Sequence, residues 1–230
     1  MKTLLLLIVI TLFYLPTMGQ CKYEINGYIE NIDTASNKAP FNQGTNIILR
    51  FLNFKKSDTV QLFNHAFKFK GDVPEPSVAM IDYPSGGVKV LIDSNSYNVY
   101  LKEVQIDKIH YTYKDTIITR SKYFNLWRSF GDDLTLLYQN KSKLLNEIDK
   151  MRNTDSISNL KNKINEIDEK MAYDYKEVAI NNPGNYAIAY FLSAAPDFSY
   201  KNYIDIYNVL SEKVKNSYYG KKLFEKLNSI

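Results

Sequence analysis

Cysteine is nearly absent. The 230-residue chain holds one, Cys21, with two histidines, one tryptophan, nine glycines and seven prolines. A single thiol excludes a disulfide framework, a cysteine-based zinc site and an internal C-x-x-C redox pair. Two histidines give no basis for a His-rich metal centre, and the scarcity of glycine argues against Gly-rich phosphate loops. An excess of either charge is also missing: 29 Lys and Arg against 25 Asp and Glu leave a formal +4. Without the Lys2 of an N-terminal leader this is about +3, too little for an electrostatic footprint on nucleic acid. The motifs G-x-S-x-G, H-E-x-x-H, Walker A and C-x-x-C do not occur, so no catalytic residue, metal ligand or cofactor is assigned. What is present is an apolar fraction of 45%, enough to build a core and to exclude disorder of the whole chain.

Residues 1–19 read as a secretory signal peptide. Lys2 supplies the basic start, Leu4 to Leu15 the apolar run, and Pro16 the break. Thr17 and Gly19 are the small residues that place cleavage before Gln20. A transmembrane anchor is the rival, but the run is shorter than the ~20 residues that span a bilayer. A lipoprotein is the other rival, since Cys21 follows closely, although Gln20 stands where a lipobox has a small residue. In the cleaved reading Cys21 is a bystander thiol at a mobile terminus ahead of the first strand.

From Tyr23 to about Arg120 the pattern has period 2. Tyr23–Ile29, Asn46–Leu52, Asp58–Leu62, Ala66–Gly71, Ser77–Tyr83, Val88–Ile92, Tyr97–Leu101 and a stretch from Tyr111 to Ile118 read as about eight short strands. Asn64-His65, Pro84-Ser85-Gly86-Gly87 and Asp93-Ser94-Asn95-Ser96 read as turns, the first because Asn tolerates positive φ. This predicts an antiparallel β-sandwich or barrel over residues 20–120.

After Arg120 the spacing switches to threes and fours. Tyr123, Leu126, Trp127 and Phe130 begin a helix that Leu134, Leu137, Leu144, Leu145, Ile148 and Met151 extend to Arg152. Asn153-Thr154-Asp155-Ser156 read as a capped turn. Ile157, Leu160, Ile164, Ile167 and Met171 follow at 3, 4, 3, 4, the stripe of a coiled-coil seam. The two helices make a helical hairpin, whose stripe either packs internally or meets a partner. Shorter helices follow: Tyr186–Ala195, one capped by Asp197 or Ser199 and running through Val214, and one opened by Asn216 or Ser217. The fold class is therefore α+β, with the helical region at 121–230. Trp127 is expected to be buried between the two parts.

Weaker signals have bland readings. His65 and His110 are surface histidines, although a pairing of His110 with Asp107 or Asp115 is conceivable. Asp132-Asp133 after Gly131 read as a helix cap rather than a calcium site. Glu166, Asp168 and Glu169 read as solvated. The 19 tyrosines and 12 phenylalanines allow ligand stacking, but they also fit a bias in codon composition.

The segments Tyr23-Glu24-Ile25-Asn26-Gly27, Asp58-Thr59-Val60, Phe67 to Pro76, Ala79-Met80-Ile81 and Val99-Tyr100-Leu101 resemble domain-of-unknown-function family 4369. So do Asn182-Pro183-Gly184-Asn185-Tyr186-Ala187 and Val214 to Leu223. That family is known mainly as the N-terminal module of periplasmic thioredoxin-like thiol-disulfide oxidoreductases. The resemblance covers nearly the whole mature chain and carries no catalytic residues. In such relatives a thioredoxin domain follows, whereas this sequence stops at Ile230, and one thiol cannot turn over dithiol–disulfide exchange by itself. The expectation is an exported, non-catalytic binding or assembly module of the cell envelope, periplasmic or secreted, using the sheet edge or the hairpin. An accessory subunit that docks to a separate thioredoxin-like protein is the alternative, and an enzyme with an unrecognised site the third reading. No nucleic acid is expected as partner, and a membrane only if Cys21 is lipidated.

Overall fold

The computed structural model describes residues 20–30, 43–84, 86–105, 111–151, 154–195 and 200–229. The expected leader, His110, Asp107, Asp197 and Ser199 lie outside the described residues.

Eight strands form two four-stranded sheets. The first contains β1 (Cys21–Glu30), β4 (Ala66–Val73), β7 (Ser96–Gln105) and β8 (Tyr111–Thr119), in the order β4-β1-β7-β8. The second contains β2 (Asn46–Phe51), β3 (Ser57–Gln61), β5 (Ser77–Tyr83) and β6 (Gly86–Ile92), in the order β3-β2-β5-β6. The expected sandwich is present, but it is not wholly antiparallel, because β1 and β7 run parallel, with Ile25 opposite Tyr97 and Tyr28 opposite Tyr100. Alternation looks the same in either orientation, and the chain connection decides it. Here Asp93–Asn95 carries the chain across from the second sheet to the first, so β7 arrives beside β1 in its own direction.

Alternation sorts the faces. In β1, Tyr23, Ile25 and Ile29 are buried against the other sheet while Lys22, Tyr28 and Glu30 face out. Gly27 lies on the inner face because the ring of Phe67, its cross-strand partner, occupies the space a Cβ would take. The β3–β4 turn has positive φ at Asn64 (49°) and His65 (62°), as the sequence predicts for Asn64.

Six helices follow: α1 (Lys122–Ile148), α2 (Thr154–Asn181), α3 (Tyr186–Ala194), α4 (Tyr200–Val209), α5 (Glu212–Lys215) and α6 (Tyr218–Asn228). Ser121 caps α1 by accepting the Phe124 N–H, Asn185 caps α3 and Ser217 caps α6. Three expectations are corrected. The expected turn at 153–156 falls earlier, because α1 ends at Ile148 rather than Arg152 and α2 is already helical at Thr154. The single helix expected to run through Val214 breaks at Leu210, and Ser211 caps a separate α5. Asp132 and Asp133 lie inside α1 rather than at a cap, the helix passing through Gly131, where a Cβ would press on the Phe191 ring at 3.0 Å.

The buried side chains of both parts form one continuous core. Trp127, only 8% exposed, tilts against Phe124 and stacks on Phe191 of α3. Arg128 of α1 pairs with Asp115 of β8 at 2.7 Å. The most deeply buried joint is Asp93. Its carboxylate accepts from the Tyr97 hydroxyl (2.6 Å), the Ser121 hydroxyl (2.7 Å) and the Asn95 amide (2.8 Å). One side chain thereby ties the sheet crossover, β7 and the cap of α1 together.

A second joint is Glu75, in the β4–β5 connection, which accepts the Tyr218 N–H at the start of α6 at 2.8 Å. Burial raises its carboxyl above the ordinary 4.5, against the opposing pull of that N–H and of Lys221. An acid with a raised folded-state value holds its proton more tightly when folded. Its contribution is therefore fully present below the unfolded value and is lost as pH rises through the folded one. In urea unfolding at pH 4 and pH 7, the stability of the wild type relative to Glu75→Gln should fall as pH rises. A relative gain with pH would show that the N–H and Lys221 outweigh burial.

Candidate functional site

Each potential reactive group has a structural place. Cys21 is not ahead of the sheet but opens β1 opposite Val73, half-buried against the core. The Tyr123 phenol is raised by burial first, then by Asp93 and by Cys21. His65 is exposed in its turn, 6.3 Å from the Tyr28 ring. Asp115, once a conceivable histidine partner, is engaged by Arg128. Among the described residues no group of three or more His, Cys, Asp or Glu could hold a metal ion.

The feature with the shape of a recognition surface is the helical hairpin. Phe124, Trp127, Phe130 and Leu134 of α1 and Met171, Tyr175 and Ala179 of α2 are buried at its base. Phe130 meets the Tyr175 ring edge-on at 5.1 Å. Farther out, Leu160 and Ile164 are buried but separate from the main core, so the distal half rests on the contact of α1 with α2 alone. Asp168 keeps part of its expected exposure but is also paired. It accepts two hydrogen bonds from Lys141 at 2.8 and 3.0 Å, and Lys141 is only 8% exposed. An ammonium so far from water is tolerated only beside its counter-charge, and the pair fixes the register of the two helices where the apolar seam thins.

Just inside that pair, one side of the hairpin opens into a groove of about 490 Å³. Its floor is apolar: Phe130, Leu136, Leu137 and Val178. Its rim carries Asp133, Asp174 and Glu177 against one cation, Lys170. Lys170 is tied to Asp174 at 2.9 Å, and this bond, with Asp133 nearby, holds its ammonium above the ordinary value. The rim is thus net negative by two charges. Leu136 is 59% exposed, and Tyr173, 63% exposed, lies one turn from both Lys170 and Glu177. Large apolar groups left in water beside a groove mark a place where surface can be covered.

The sequence reading placed Phe130, Leu134, Leu137 and Met171 on the hairpin seam, and there they are. It does not mark Leu136, Asp174 or Glu177, and it reads Asp133 only as a cap, because a rim assembled from two helices depends on how the helices are rotated against each other. A seam with Leu at both 136 and 137 cannot bury both, and that doubling was the available signal.

Comparison with models of protein families, with curated proteins and with solved structures finds no match to this chain.

Proposed function

We propose that the protein is an exported, non-catalytic binding module of the bacterial cell envelope whose recognition surface is the α1–α2 groove. Export rests on the basic start, short apolar run and small residues of 1–19. Among the described residues no helix is long and apolar enough to cross a membrane. Lipid attachment at Cys21 fits poorly with its place, since a residue paired with Val73 and turned toward the core would have to leave β1 to reach a bilayer. The likeness to family 4369 rests on the segments quoted above, and with it the alternative of a separate thioredoxin-like partner.

The carrying observation is the groove's combination of an apolar floor with a net-negative rim. It fits one kind of occupant, a protein segment that presents an apolar side chain flanked by Lys or Arg. Burial of that side chain supplies affinity at roughly 25 cal/mol per Å² of apolar surface removed from water. The flanking cations supply orientation and a salt-dependent association rate.

The sole tryptophan provides the readout, since Trp127 lies one turn from Phe130 on the groove floor. Titration with an amidated peptide bearing two leucines flanked by lysines should change Trp127 fluorescence and saturate. A Glu-flanked counterpart should not bind. Reversing the rim with Asp133→Lys and Glu177→Lys should weaken the lysine peptide by about tenfold or more at low salt. Equal binding of both peptides, or of neither, would contradict the assignment.

A further inference from the structure

The outward face of the first sheet carries a second surface, independent of the hairpin. Because β1 and β7 are parallel and in register, their outward side chains stand in matched rungs: Glu24 beside Ser96, Asn26 beside Asn98, Tyr28 beside Tyr100. Both tyrosines are 45% exposed. The central two strands therefore present a track that begins polar, passes a pair of amides and ends on two exposed tyrosines at neighbouring strand positions, the Tyr28 ring tilted toward His65 at 6.3 Å. From the Glu24 rung to the tyrosine rung is four residues, about 13 Å.

The flanking strands wall this track with cations. Lys68 and Lys70 stand on the β4 side, Lys114 and Arg120 on the β8 side, and Lys22 at the start of β1. Glu24 is already neutralised by Lys68 at 2.9 Å, and Asp72 stands across from Lys22. Lys70 stands across from Glu24 and helps lower its carboxyl, but neither Lys70 nor Arg120 makes a side-chain hydrogen bond or an ion pair within 4.0 Å with a described residue. At this end the surface forms a cleft of about 640 Å³ lined from all four strands, with Ser94, Asn95 and Asn98 among the lining groups. From β4 to β8 is three strand spacings, about 14 Å, too far for one small anion to bridge both walls.

We infer that this face binds an acidic oligosaccharide, lying along β1 and β7 with its charged groups between Lys70 and Arg120 and a sugar ring on the Tyr28–Tyr100 pair. Each feature matches that chemistry. The apolar face of a sugar ring covers an aromatic ring, Asn and Ser groups exchange hydrogen bonds with hydroxyls, and spaced cations meet spaced carboxylates or sulfates. A free phosphate would use neither the tyrosines nor the amides. A nucleic acid would use both, but a chain with so little excess positive charge is poorly suited to a polyphosphate.

Isothermal titration of the mature protein tests the assignment with four probes: tetragalacturonate (carboxylates), a heparin tetrasaccharide (sulfates), neutral maltotetraose, and an eight-nucleotide single-stranded DNA. At least one acidic tetrasaccharide should bind and maltotetraose should not. Which of the two binds identifies the anionic group. The single change Tyr100→Ala, and the pair Lys70→Ala with Arg120→Ala, should each weaken binding about tenfold. Both sites are exposed, so circular dichroism should show an unchanged fold. The inference is overturned if neither acidic probe binds, if maltotetraose binds equally, or if Tyr100→Ala leaves affinity unchanged, which would reduce the face to simple charge. Tighter binding of the DNA than of either sugar would also overturn it.

Discussion

Replacing Asp93 with alanine should lower the unfolding free energy by about 4 kcal/mol and the melting temperature by roughly 8–16 °C. The carboxylate is buried and accepts three hydrogen bonds, from Tyr97, Ser121 and Asn95. Its loss strands two buried hydroxyls where water cannot replace the acceptor, and an unmet buried polar group costs ~1–3 kcal/mol. It also frees the Ser121 side chain, which caps α1 through the Phe124 N–H, so the start of that helix should fray. Asp93→Asn separates the contributions. The amide can still accept from one hydroxyl and can donate to the other if that hydroxyl turns, so its loss should be about half as large. Thermal unfolding followed by circular dichroism measures both. A loss below ~1 kcal/mol for the alanine variant would show that the junction is held by apolar packing alone.

Gly220→Ala should cost about 3 kcal/mol. At an exposed interior helix position the same change stabilises by up to ~1 kcal/mol, because alanine has the better helix propensity. Gly220 reverses the sign through its surroundings. It is buried in the first turn of α6, and a Cβ there would run into the backbone carbonyl oxygens of Val214 and Lys215 in α5. No side-chain rotation relieves a clash with backbone. The corner is further fixed by the Ser217 hydroxyl, which donates to Val214 O at 2.6 Å and accepts the Gly220 N–H at 3.1 Å. Either α5 shifts or the α6 cap opens, and the melting temperature should drop by roughly 6–12 °C. A variant as stable as the wild type would mean that the α5–α6 corner yields freely.

These two residues show where the sequence is legible and where it is not. Period-2 alternation locates strands such as β1, β2 and β4, because one buried face imposes it locally, while β5 and β6, buried on both faces over much of their length, read instead as apolar runs between turn residues. The spacing of Ile157, Leu160, Ile164, Ile167 and Met171 gives the hairpin for the same reason. Asp93 reads only as part of a turn, since its partner Ser121 is 28 residues away and no local pattern announces the meeting. Nothing local in the sequence marks Gly220, since the carbonyls that exclude a Cβ are brought there by the α5–α6 corner. The parallel pairing of β1 with β7, and so the matched asparagine and tyrosine rungs, follows from chain connection and not from composition. Gly131 is misleading in the other direction. Its low helix propensity suggests a break, but tertiary packing against Phe191 carries α1 through it. Lys141 and Asp168 look like surface charges, and only the approach of two helices buries the Lys141 ammonium beside a half-exposed Asp168.

The α1–α2 groove as the binding surface is tested most directly by methyl NMR of the mature protein, titrated with the lysine-flanked leucine peptide. The account predicts that the methyl signals of Leu136, Leu137 and Val178 shift and saturate together, while those of Val78, Val90 and Val99 inside the sandwich stay in place. Shifts centred on the sandwich, or no shift at the groove methyls at peptide concentrations that saturate the Trp127 signal, would contradict it.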